Sequence, residues 1–378
     1  MPRRILEKEV YVYLKKCYNN TEGLSFCKKQ SYRTEGNLMA QVSDLGIDLG
    51  TSNVLIYMKG KGIVLRQPAV VAIERQSKHV MAVGDDAYRM IGRTPGNVLA
   101  VRPLRQGASS DFELTNTMLR YFVSHVIGKR FLARPRVVMS VPTGVNDAEK
   151  HNLVRIMFDA GAKRTQLLER PIAAAMGIGL PFQEAYGCMI VDISAGVTDI
   201  AVLSRGEVVA ASCVSFAGDY FDDAISRYLR KKHNLLIGER TAEEIKLNIG
   251  SAVPQPTDVT MEVTGRNLLS GLPKTQGITT SEVYEALKDP VADLIDAIQA
   301  VIERTPPQLA SDIFEDGIVL TGGGANLTGL AEAVYSSLRI PCGVADDPQN
   351  SVVMGCGKAL DDLSSVKHLL SDGRRGKF

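Results

Sequence analysis

The sequence lacks paired cysteines of the kind that bind metals or build disulfide frameworks. Its six cysteines form no C-x-x-C pair; they are Cys17, Cys27, Cys188, Cys213, Cys342 and Cys356. Four of them lie in apolar or turn surroundings. This spacing argues against a structural zinc site and against a disulfide-stapled secreted domain. We therefore expect free thiols in a reducing cytosol.

Long hydrophobic runs are also missing. No stretch reaches the roughly 18 consecutive apolar residues that a membrane-spanning helix needs. The first 38 residues are basic but lack the apolar segment of a secretory signal. We expect a protein that is soluble or peripheral to a membrane.

An excess of positive charge is confined to one short segment. Residues 1–38 contain eight Lys or Arg and four Asp or Glu, whereas the whole chain has a formal net charge of only +2. A nucleic-acid-binding domain would carry a basic face on its folded body, so this distribution excludes nucleic acid as the expected partner. We expect residues 1–43 to be a poorly ordered basic extension, with a membrane-binding or partner-binding arm as the alternative.

The 378 residues, 45% of them hydrophobic, are enough for two globular lobes. Two similar stretches support a duplication. GIDLGTSNVLIY, following Leu45, reads as an apolar strand, a turn and a second apolar strand, and IVDISAGVTDIAVL at 190–203 repeats the arrangement. Asp48 then corresponds to Asp192. The pair predicts a duplicated α/β domain with two turns facing each other across a cleft.

The two turns suit a bound phosphate chain. Backbone N–H groups of a glycine-rich turn can cradle phosphate oxygens, and a hydroxyl such as that of Thr51 adds a donor. Asp48 and Asp192 could hold hydrated magnesium. The alternative is that both are ordinary hairpin turns in which Asp serves turn chemistry. The predicted phosphate-binding residues are Gly50, Thr51, Ser52, Asn53, Ser194, Ala195 and Gly196.

A third glycine-rich stretch, DGIVLTGGGANLTGLAEAV, lies late in the chain. An apolar strand at 318–320 precedes three glycines and a helical pattern, so the backbone could approach a ligand at a helix N-terminus. Alone the stretch is weak evidence. Beside the two hairpins we interpret it as the nucleoside side of the same site.

The motifs GIDLGTSNVLIY, MIGRTPGNVLAVRPL, AGDYFDDAI, GERTAEEIK and TGGGANLTGL occur in this order between about residues 44 and 365. As a set they resemble the actin, sugar-kinase and heat-shock-chaperone ATPase superfamily, and within it the MreB family of bacterial actin-like cell-shape proteins. The resemblance implies an α/β fold of duplicated ribonuclease-H-like domains, with four subdomains around a nucleotide cleft. It implies ATP or GTP with magnesium as the ligand.

The resemblance also implies domain limits and further contacts. The domains would be 44–184 with a small insertion at 72–104, 185–353 with an insertion at 221–284, and 354–378 as a C-terminal helix returning to the first domain plus a basic tail. The nucleoside-binding residues would be Gly218, Asp219, Glu243, Lys246, Gly322, Gly323, Gly324 and Asn326. Glu243 and Lys246 could instead be a solvated surface pair. Phe131 and Leu132, ringed by basic residues, would form a membrane-contacting loop, or Phe131 could seal a strand.

The sequence departs from the family pattern at two positions. In similar ATPases an acidic residue, or glutamine in actin, precedes the proline of LLERPIAAAMG and orients the attacking water, but this chain has Arg170. A threonine that follows three glycines after the second Asp is replaced by Val197. Glu169 is acidic but one position away, which on a helix is a rotation of about 100°. We expect a degenerate water-positioning site and weakened hydrolysis, unless Glu169 or an ordered water compensates.

The resulting prediction is a nucleotide-binding, filament-forming cytoskeletal protein that organises cell shape and wall synthesis at the inner face of the membrane. Its partners would be further copies of itself in paired head-to-tail protofilaments, the membrane surface and wall-synthesis proteins of the inner membrane. We also expect a divergent paralogue. The alternative is a small-molecule kinase on the same fold, which needs a carboxylate base beside the substrate hydroxyl. The sequence offers no candidate for it beyond Asp48 and Asp192. A chaperone ATPase ranks third, because we expect no peptide-binding domain.

Overall fold

The computed structural model of the protein describes residues 44–93, 96–105, 108–128 and 134–372. The strands in chain order are β1 (Leu45–Leu49), β2 (Asn53–Met58), β3 (Gly62–Pro68), β4 (Val71–Glu74), β5 (Val80–Val83), β6 (Val98–Val101), β7 (Leu104–Arg105), β8 (Ala108–Ser109), β9 (Arg136–Val141), β10 (Arg164–Glu169), β11 (Cys188–Ile193), β12 (Thr198–Ser204), β13 (Glu207–Val214), β14 (Leu235–Leu236), β15 (Thr260–Asn267), β16 (Pro273–Thr279), β17 (Ile318–Thr321), β18 (Cys342–Val344) and β19 (Leu370–Ser371).

The α-helices in chain order are α1 (Asp85–Met90), α2 (Phe112–Ile127), α3 (Asp147–Asp159), α4 (Arg170–Ile178), α5 (Gly218–His233), α6 (Glu239–Ile249), α7 (Thr280–Glu303), α8 (Pro307–Asp316), α9 (Leu330–Leu338) and α10 (Ser351–Asp361). Short 3-10 helices occur at Gly323–Asn326 and Lys367–Leu369. Among the described helices, none combines the length and the apolar composition needed to cross a bilayer.

Two main sheets share one topology. The first has the strand order β3-β2-β1-β9-β10-β19 and the second has the order β13-β12-β11-β17-β18. In each sheet an antiparallel three-strand meander is followed by two parallel strands, β9 and β10 in one and β17 and β18 in the other. The expected duplicated α/β arrangement is therefore present.

The central strands are continuous apolar runs because both faces of each sheet are covered. β11 is buried along its whole length, and β1 is buried at four of its five residues. Each main sheet has its own core cluster, and a third cluster joins β11 and β12 to the helices α4 and α10. The site described below therefore lies on two well-packed sheets.

Two insertions interrupt the repeat. The first, after β3, contains the sheet β5-β4-β6 and α1, which packs against it. The second contains α5, α6 and the sheet β14-β15-β16. Helices α1 and α6 approach each other across the cleft, since the Tyr88 hydroxyl donates a hydrogen bond of 3.3 Å to the Glu243 carboxylate.

Candidate functional site

The two predicted hairpin turns have the same backbone geometry. Gly50 N–H donates to the carbonyl of Asn53 at 3.0 Å, and Ser194 N–H donates to the carbonyl of Val197 at 3.1 Å. Gly50 is needed because an added Cβ would lie 2.9 Å from the Asn53 carbonyl oxygen. Asp48 and Asp192 each precede their turn by two residues. The structure therefore bears out the hairpin prediction at both places.

The second turn accommodates Ser194 and Ala195 at positions where the family pattern has glycine. Neither Ser194 nor Ala195 adopts a positive φ, so their β-carbons meet no left-handed strain. Their carbonyls accept hydrogen bonds from the first two N–H groups of α5, Gly218 to Ser194 at 3.1 Å and Asp219 to Ala195 at 2.8 Å. This turn is consequently fixed to the N-terminus of α5.

The first turn is held by its own neighbours. Thr51 is buried, and the hydroxyl of Ser52 accepts a hydrogen bond of 3.0 Å from the Arg102 guanidinium. Asn53 is exposed at the start of β2. Arg102 therefore places a cation beside this turn. The sequence alone did not assign Arg102 to the site.

Arg170 is the first residue of α4 and lies between the two hairpins. Its side chain is 1% exposed, and its Nη2 donates a hydrogen bond of 3.2 Å to the Leu49 carbonyl. Three carboxylates surround the guanidinium, Asp48 and Asp192 at 3.7 Å and Asp199 at 3.6 Å. Asp48 belongs to the first sheet and the other two to the second, so Arg170 bridges the cleft.

The local sequence explains why Arg170 is held there. Pro171 follows at the start of α4, where its fixed φ suits the first helical turn. Helix α4 then packs closely on α10, since a Cβ added at Gly177 would overlap the Ser351 carbonyl and one at Gly355 would overlap that of Ala173. A helix packed this closely leaves its first side chain little freedom.

Burial and mutual contacts shift the pKa values in this cluster. Burial raises the pKa of Asp192 to about 7, against the opposing effect of Arg170. Burial likewise raises the pKa of Asp199, which also accepts a hydrogen bond of 2.7 Å from Thr143 N–H, just after β9 of the first sheet. Burial disfavours the Arg170 cation, but the three carboxylates outweigh it and raise its pKa. Arg170 is a permanent buried cation.

Several polar atoms of the cluster have no hydrogen-bond partner. They are Nε and Nη1 of Arg170, Oδ1 of Asp192 and Oδ2 of Asp199. The contacts of 3.6 and 3.7 Å are therefore charge pairs beyond hydrogen-bond length. The described residues contain no group of three or more His, Cys, Asp or Glu side chains arranged to hold a metal ion.

The sequence argument assumed that Glu169 and Arg170 are consecutive residues of one helix, but Glu169 lies outside the helix. It is the last residue of β10 and the N-cap of α4, so a helical rotation of 100° does not separate it from Arg170. Burial raises the pKa of its carboxyl; nearby Lys150 opposes this effect, and the charge of Asp199 adds to it. The rotation argument is thus wrong, because the helix begins one residue later, and Glu169 lies within electrostatic reach of the cluster.

On the predicted nucleoside side, Lys246 does not pair with Glu243. Lys246 Nζ donates at 3.0 Å to the Gly218 carbonyl and at 2.9 Å to Asp222, while Glu243 accepts from Tyr88. Lys246 and Asp222 are both largely buried. A solvated Glu–Lys surface pair is therefore the wrong interpretation. Burial raises the pKa of Asp219, against the opposing charges of Arg102 and Lys246.

The glycine run meets the second hairpin directly. Gly322 has a φ of 81°, and an added Cβ would lie 2.5 Å from Asp192 Oδ1. Gly324 packs against Ile193. Gly323 to Asn326 form a 3-10 turn in which the Asn326 amide donates to the Gly323 carbonyl at 3.4 Å, and α9 begins only at Leu330. The helical pattern predicted after the glycines is therefore present, as a 3-10 turn followed by α9.

Sequence reasoning missed four residues at this site, namely Asp199, Thr143, Tyr88 and Arg102. Asp199 had a detectable signal, because strand pairing in the second hairpin sets it opposite Asp192. The others reach the site from distant parts of the chain and leave no local pattern. The predicted membrane residues Phe131 and Leu132 lie outside the described residues.

Solved structures with the same architecture define the class of the protein. MreB5 of Spiroplasma citri bound to ADP aligns with a TM-score of 0.83 and 32% identity, covering 87% of this chain and 99% of that one. The same protein bound to AMPPNP aligns with a TM-score of 0.83, 32% identity and coverages of 87% and 98%. A MamK double helical filament structure, with a TM-score of 0.71, 22% identity and coverages of 84% and 98%, shares the fold. The fold is actin-like, as the sequence predicted.

Sequence comparisons give the family. The family model described as MreB/Mbl protein matches residues 42–368. The cell shape-determining protein MreB of Escherichia coli is 47% identical over 324 residues, covering 84% of this chain and 93% of that protein. The cell shape-determining protein Mbl of Bacillus subtilis is 43% identical over 323 residues, covering 85% and 97%. The chain belongs to the MreB/Mbl family.

Proposed function

We propose that the cleft between the two hairpins binds a nucleoside triphosphate or diphosphate, of ATP or GTP type. The observation that carries this proposal is the pair of equivalent turns at Gly50 and Ser194, which lie on opposite sheets and are joined through Arg170. Backbone N–H groups in such turns suit phosphate oxygens. The related MreB5, with ADP in one structure and AMPPNP in another, supports the same ligand class.

The proposed contacts divide between the two ends of the ligand. Phosphates would meet the turns formed by Gly50, Thr51, Ser52, Asn53, Ser194, Ala195 and Gly196. The nucleoside would meet Gly218, Asp219, Glu243, Lys246, Gly322, Gly323, Gly324 and Asn326. The links of Gly218 to Lys246 and of Gly322 to Asp192 support one continuous surface from nucleoside to phosphates.

We propose that hydrolysis is weakened. An arginine side chain has five N–H donors and no acceptor, so Arg170 cannot accept a hydrogen bond or a proton from an attacking water. Val197 is buried and supplies no hydroxyl beside the second turn. Glu169 is the acidic residue next to Arg170 in the chain, and burial raises the pKa of its carboxyl, which makes it a stronger proton acceptor than an exposed glutamate.

At the cellular level we propose a nucleotide-dependent cytoskeletal filament that helps determine cell shape. Family membership and the names of the MreB and Mbl relatives support this role. Head-to-tail contacts between copies are heterologous and would produce open filaments. A peripheral position on the cytoplasmic face of the membrane, contact with wall-synthesis proteins, and the domain limits 44–184 and 185–353 are further parts of the proposal.

Two measurements on the full-length protein test these ideas. Titration with a fluorescent ADP derivative, with unlabelled ATP and GTP as competitors, should give saturable binding with one nucleotide per chain. Sedimentation with ATP, with and without anionic liposomes, should give pelleted protein that depends on nucleotide. A chain that neither binds the derivative nor sediments would contradict the proposed function. Nucleotide binding without sedimentation would contradict the filament alone.

A further inference from the structure

Arg170 lies at the place where a hydrated divalent cation would have to sit. A magnesium ion held through water lies about 4 Å from the carboxylate oxygens that it serves, because each water occupies the metal's own shell at 2.0–2.1 Å. The Arg170 nitrogens lie 3.7 Å from Asp48 Oδ1 and 3.7 Å from Asp192 Oδ2. A cation between these two carboxylates would share its space with the guanidinium.

One oxygen of each carboxylate also accepts a hydrogen bond from a hydroxyl, while Asp192 Oδ1 has no hydrogen-bond partner. Asp48 Oδ1 accepts a hydrogen bond of 2.7 Å from the Ser140 hydroxyl, and Asp192 Oδ2 accepts one of 3.4 Å from Ser194. Because the guanidinium lies between Asp48 and Asp192, this predicted donor set does not fit a magnesium ion bound in addition to Arg170.

We infer that the Arg170 guanidinium takes the place of the divalent cation, so that this chain binds its nucleotide without one. The inference rests on the nucleotide site proposed above. It concerns which positive group, the guanidinium or a metal ion, lies between the carboxylates of that site. The ligand is a free nucleoside diphosphate or triphosphate rather than its magnesium complex.

Charge counting supports the substitution. With all three carboxylates ionised, the cluster of three carboxylates and one guanidinium has a formal charge of −2. The substitution Arg170→Glu would remove a positive charge and add a negative one, a change equal in size to the charge of a divalent cation. The native site without metal and the Arg170→Glu site with metal therefore carry the same formal charge.

Arg170 cannot easily move aside to admit a metal. The side chain is 1% exposed and is bonded to the Leu49 carbonyl, and its helix is packed tightly against α10. Withdrawing the guanidinium would leave Asp192 and Asp199, also buried, without their cation. The guanidinium is therefore an integral part of the folded structure.

The test is a binding titration of full-length protein with a fluorescent ADP derivative, in magnesium chloride or in EDTA. The native protein should bind with dissociation constants that agree within about twofold between the two conditions. The Arg170→Glu variant should bind at least about tenfold more tightly with magnesium than with EDTA, a difference of about 1.4 kcal/mol. Arg164→Glu is the matched control, since Arg164 begins β10, the strand that leads directly into Arg170, and is half-exposed. It should behave like the native protein.

The native measurement decides the inference even if Arg170→Glu does not fold, and Arg170→Gln then serves as the neutral variant. Binding of the native protein only with magnesium would overturn the inference while leaving the proposed nucleotide site intact. Absence of nucleotide binding both with magnesium and with EDTA would overturn the inference and the proposed nucleotide site together. Magnesium-independent binding that both position-170 variants share would also overturn it, because Arg170 would then not be the group that replaces the metal.

Discussion

Arg170 Nε lies 3.7 Å from Asp192 Oδ2, and both side chains are 1% exposed. Arg170 follows the first sheet and Asp192 belongs to the second, so a buried charge pair joins the two halves of the repeat. Burying a charge is costly unless it is paired, and here one cation serves three carboxylates. Changing the charge at Arg170 should therefore alter both the stability of the fold and the charge inside the cleft.

Removing this cation should destabilise the protein strongly. Arg170→Met fills a similar volume but leaves Asp48, Asp192 and Asp199 facing each other, and should lower the free energy of unfolding by about 3–5 kcal/mol near neutral pH. Arg164→Met breaks an exposed ion pair with Asp372 and should cost less than about 1 kcal/mol. Urea unfolding of both variants measures the difference. Equal, small losses would show that the buried cluster does not depend on Arg170.

The glycine run offers a matched pair of substitutions. Gly322→Ala should destabilise the protein by roughly 2 kcal/mol or more, because the residue has a positive φ and the new Cβ would lie 2.5 Å from Asp192 Oδ1 and from the Ile193 carbonyl. A Cβ added at Gly323 would have no neighbour within 4 Å, so Gly323→Ala should be nearly neutral. Thermal unfolding distinguishes the two. Similar melting temperatures for both variants would contradict the close approach of Gly322 to Asp192.

The contact between Tyr88 and Glu243 should slow the release of nucleotide. Tyr88→Phe removes the hydrogen bond of 3.3 Å that joins α1 to α6 across the cleft, and should make dissociation of a fluorescent ADP derivative roughly threefold to tenfold faster. Tyr228→Phe is the control, because the Tyr228 hydroxyl bonds to Lys232 within one helix. Stopped-flow displacement measures both rates. An unchanged rate for Tyr88→Phe would mean that this contact does not hold the cleft closed.

Glu282 should stabilise the second domain in a pH-dependent way. It completes the capping box of α7 with Thr279 and lies 3.0 Å from Lys232 and 2.7 Å from His233. Burial alone would raise its pKa, but the hydrogen bonds from Lys232, His233 and Thr279 outweigh that effect and lower it. A lowered folded-state pKa means that the ionised carboxylate contributes stability above its ordinary value of 4.5, and that this contribution is lost as the pH falls below it.

Glu282→Gln should therefore lower the free energy of unfolding by about 1–2 kcal/mol at pH 7. The difference from the native protein should shrink as the pH falls below 4.5. Glu285→Gln, an exposed change on the same helix, should have little effect at any pH. Urea unfolding across this range makes the comparison. A difference that grows on acidification would have the wrong sign for the lowered pKa.

Local patterns predicted the framework of the site but not its electrostatics. The two hairpins were predictable because apolar strands around an Asp- and Gly-containing turn are a local signal, and both turns form as expected. The position of Arg170 was also readable from its neighbour Pro171. Its partners were not, since Leu49 is brought to it only when the strands of the first sheet pair, and Asp199 only when the two sheets assemble.

The partners of Glu243 and Lys246, on the predicted nucleoside side, were also not predictable from local sequence. Glu243 and Lys246 have the spacing of a helical ion pair, yet each bonds to a residue from another helix, Tyr88 and Asp222 respectively. Tertiary contacts with the neighbouring helices here take precedence over the i, i+3 pattern, at 3.3 Å for Tyr88 and 2.9 Å for Asp222. Sequence spacing therefore predicted which residues lie in this region but gave the wrong partners.

The most direct test of weakened hydrolysis is single-turnover release of phosphate from ATP by full-length protein, measured in parallel with nucleotide binding. The native protein should bind ATP but release phosphate at least tenfold more slowly than the variant Arg170→Glu with Val197→Thr in the presence of magnesium, a difference of about 1.4 kcal/mol in barrier. Arg164→Glu should release phosphate at the native rate. Phosphate release by the native protein as fast as by a double variant that is folded and binds nucleotide would contradict the account, because the acceptor missing at position 170 would then be dispensable.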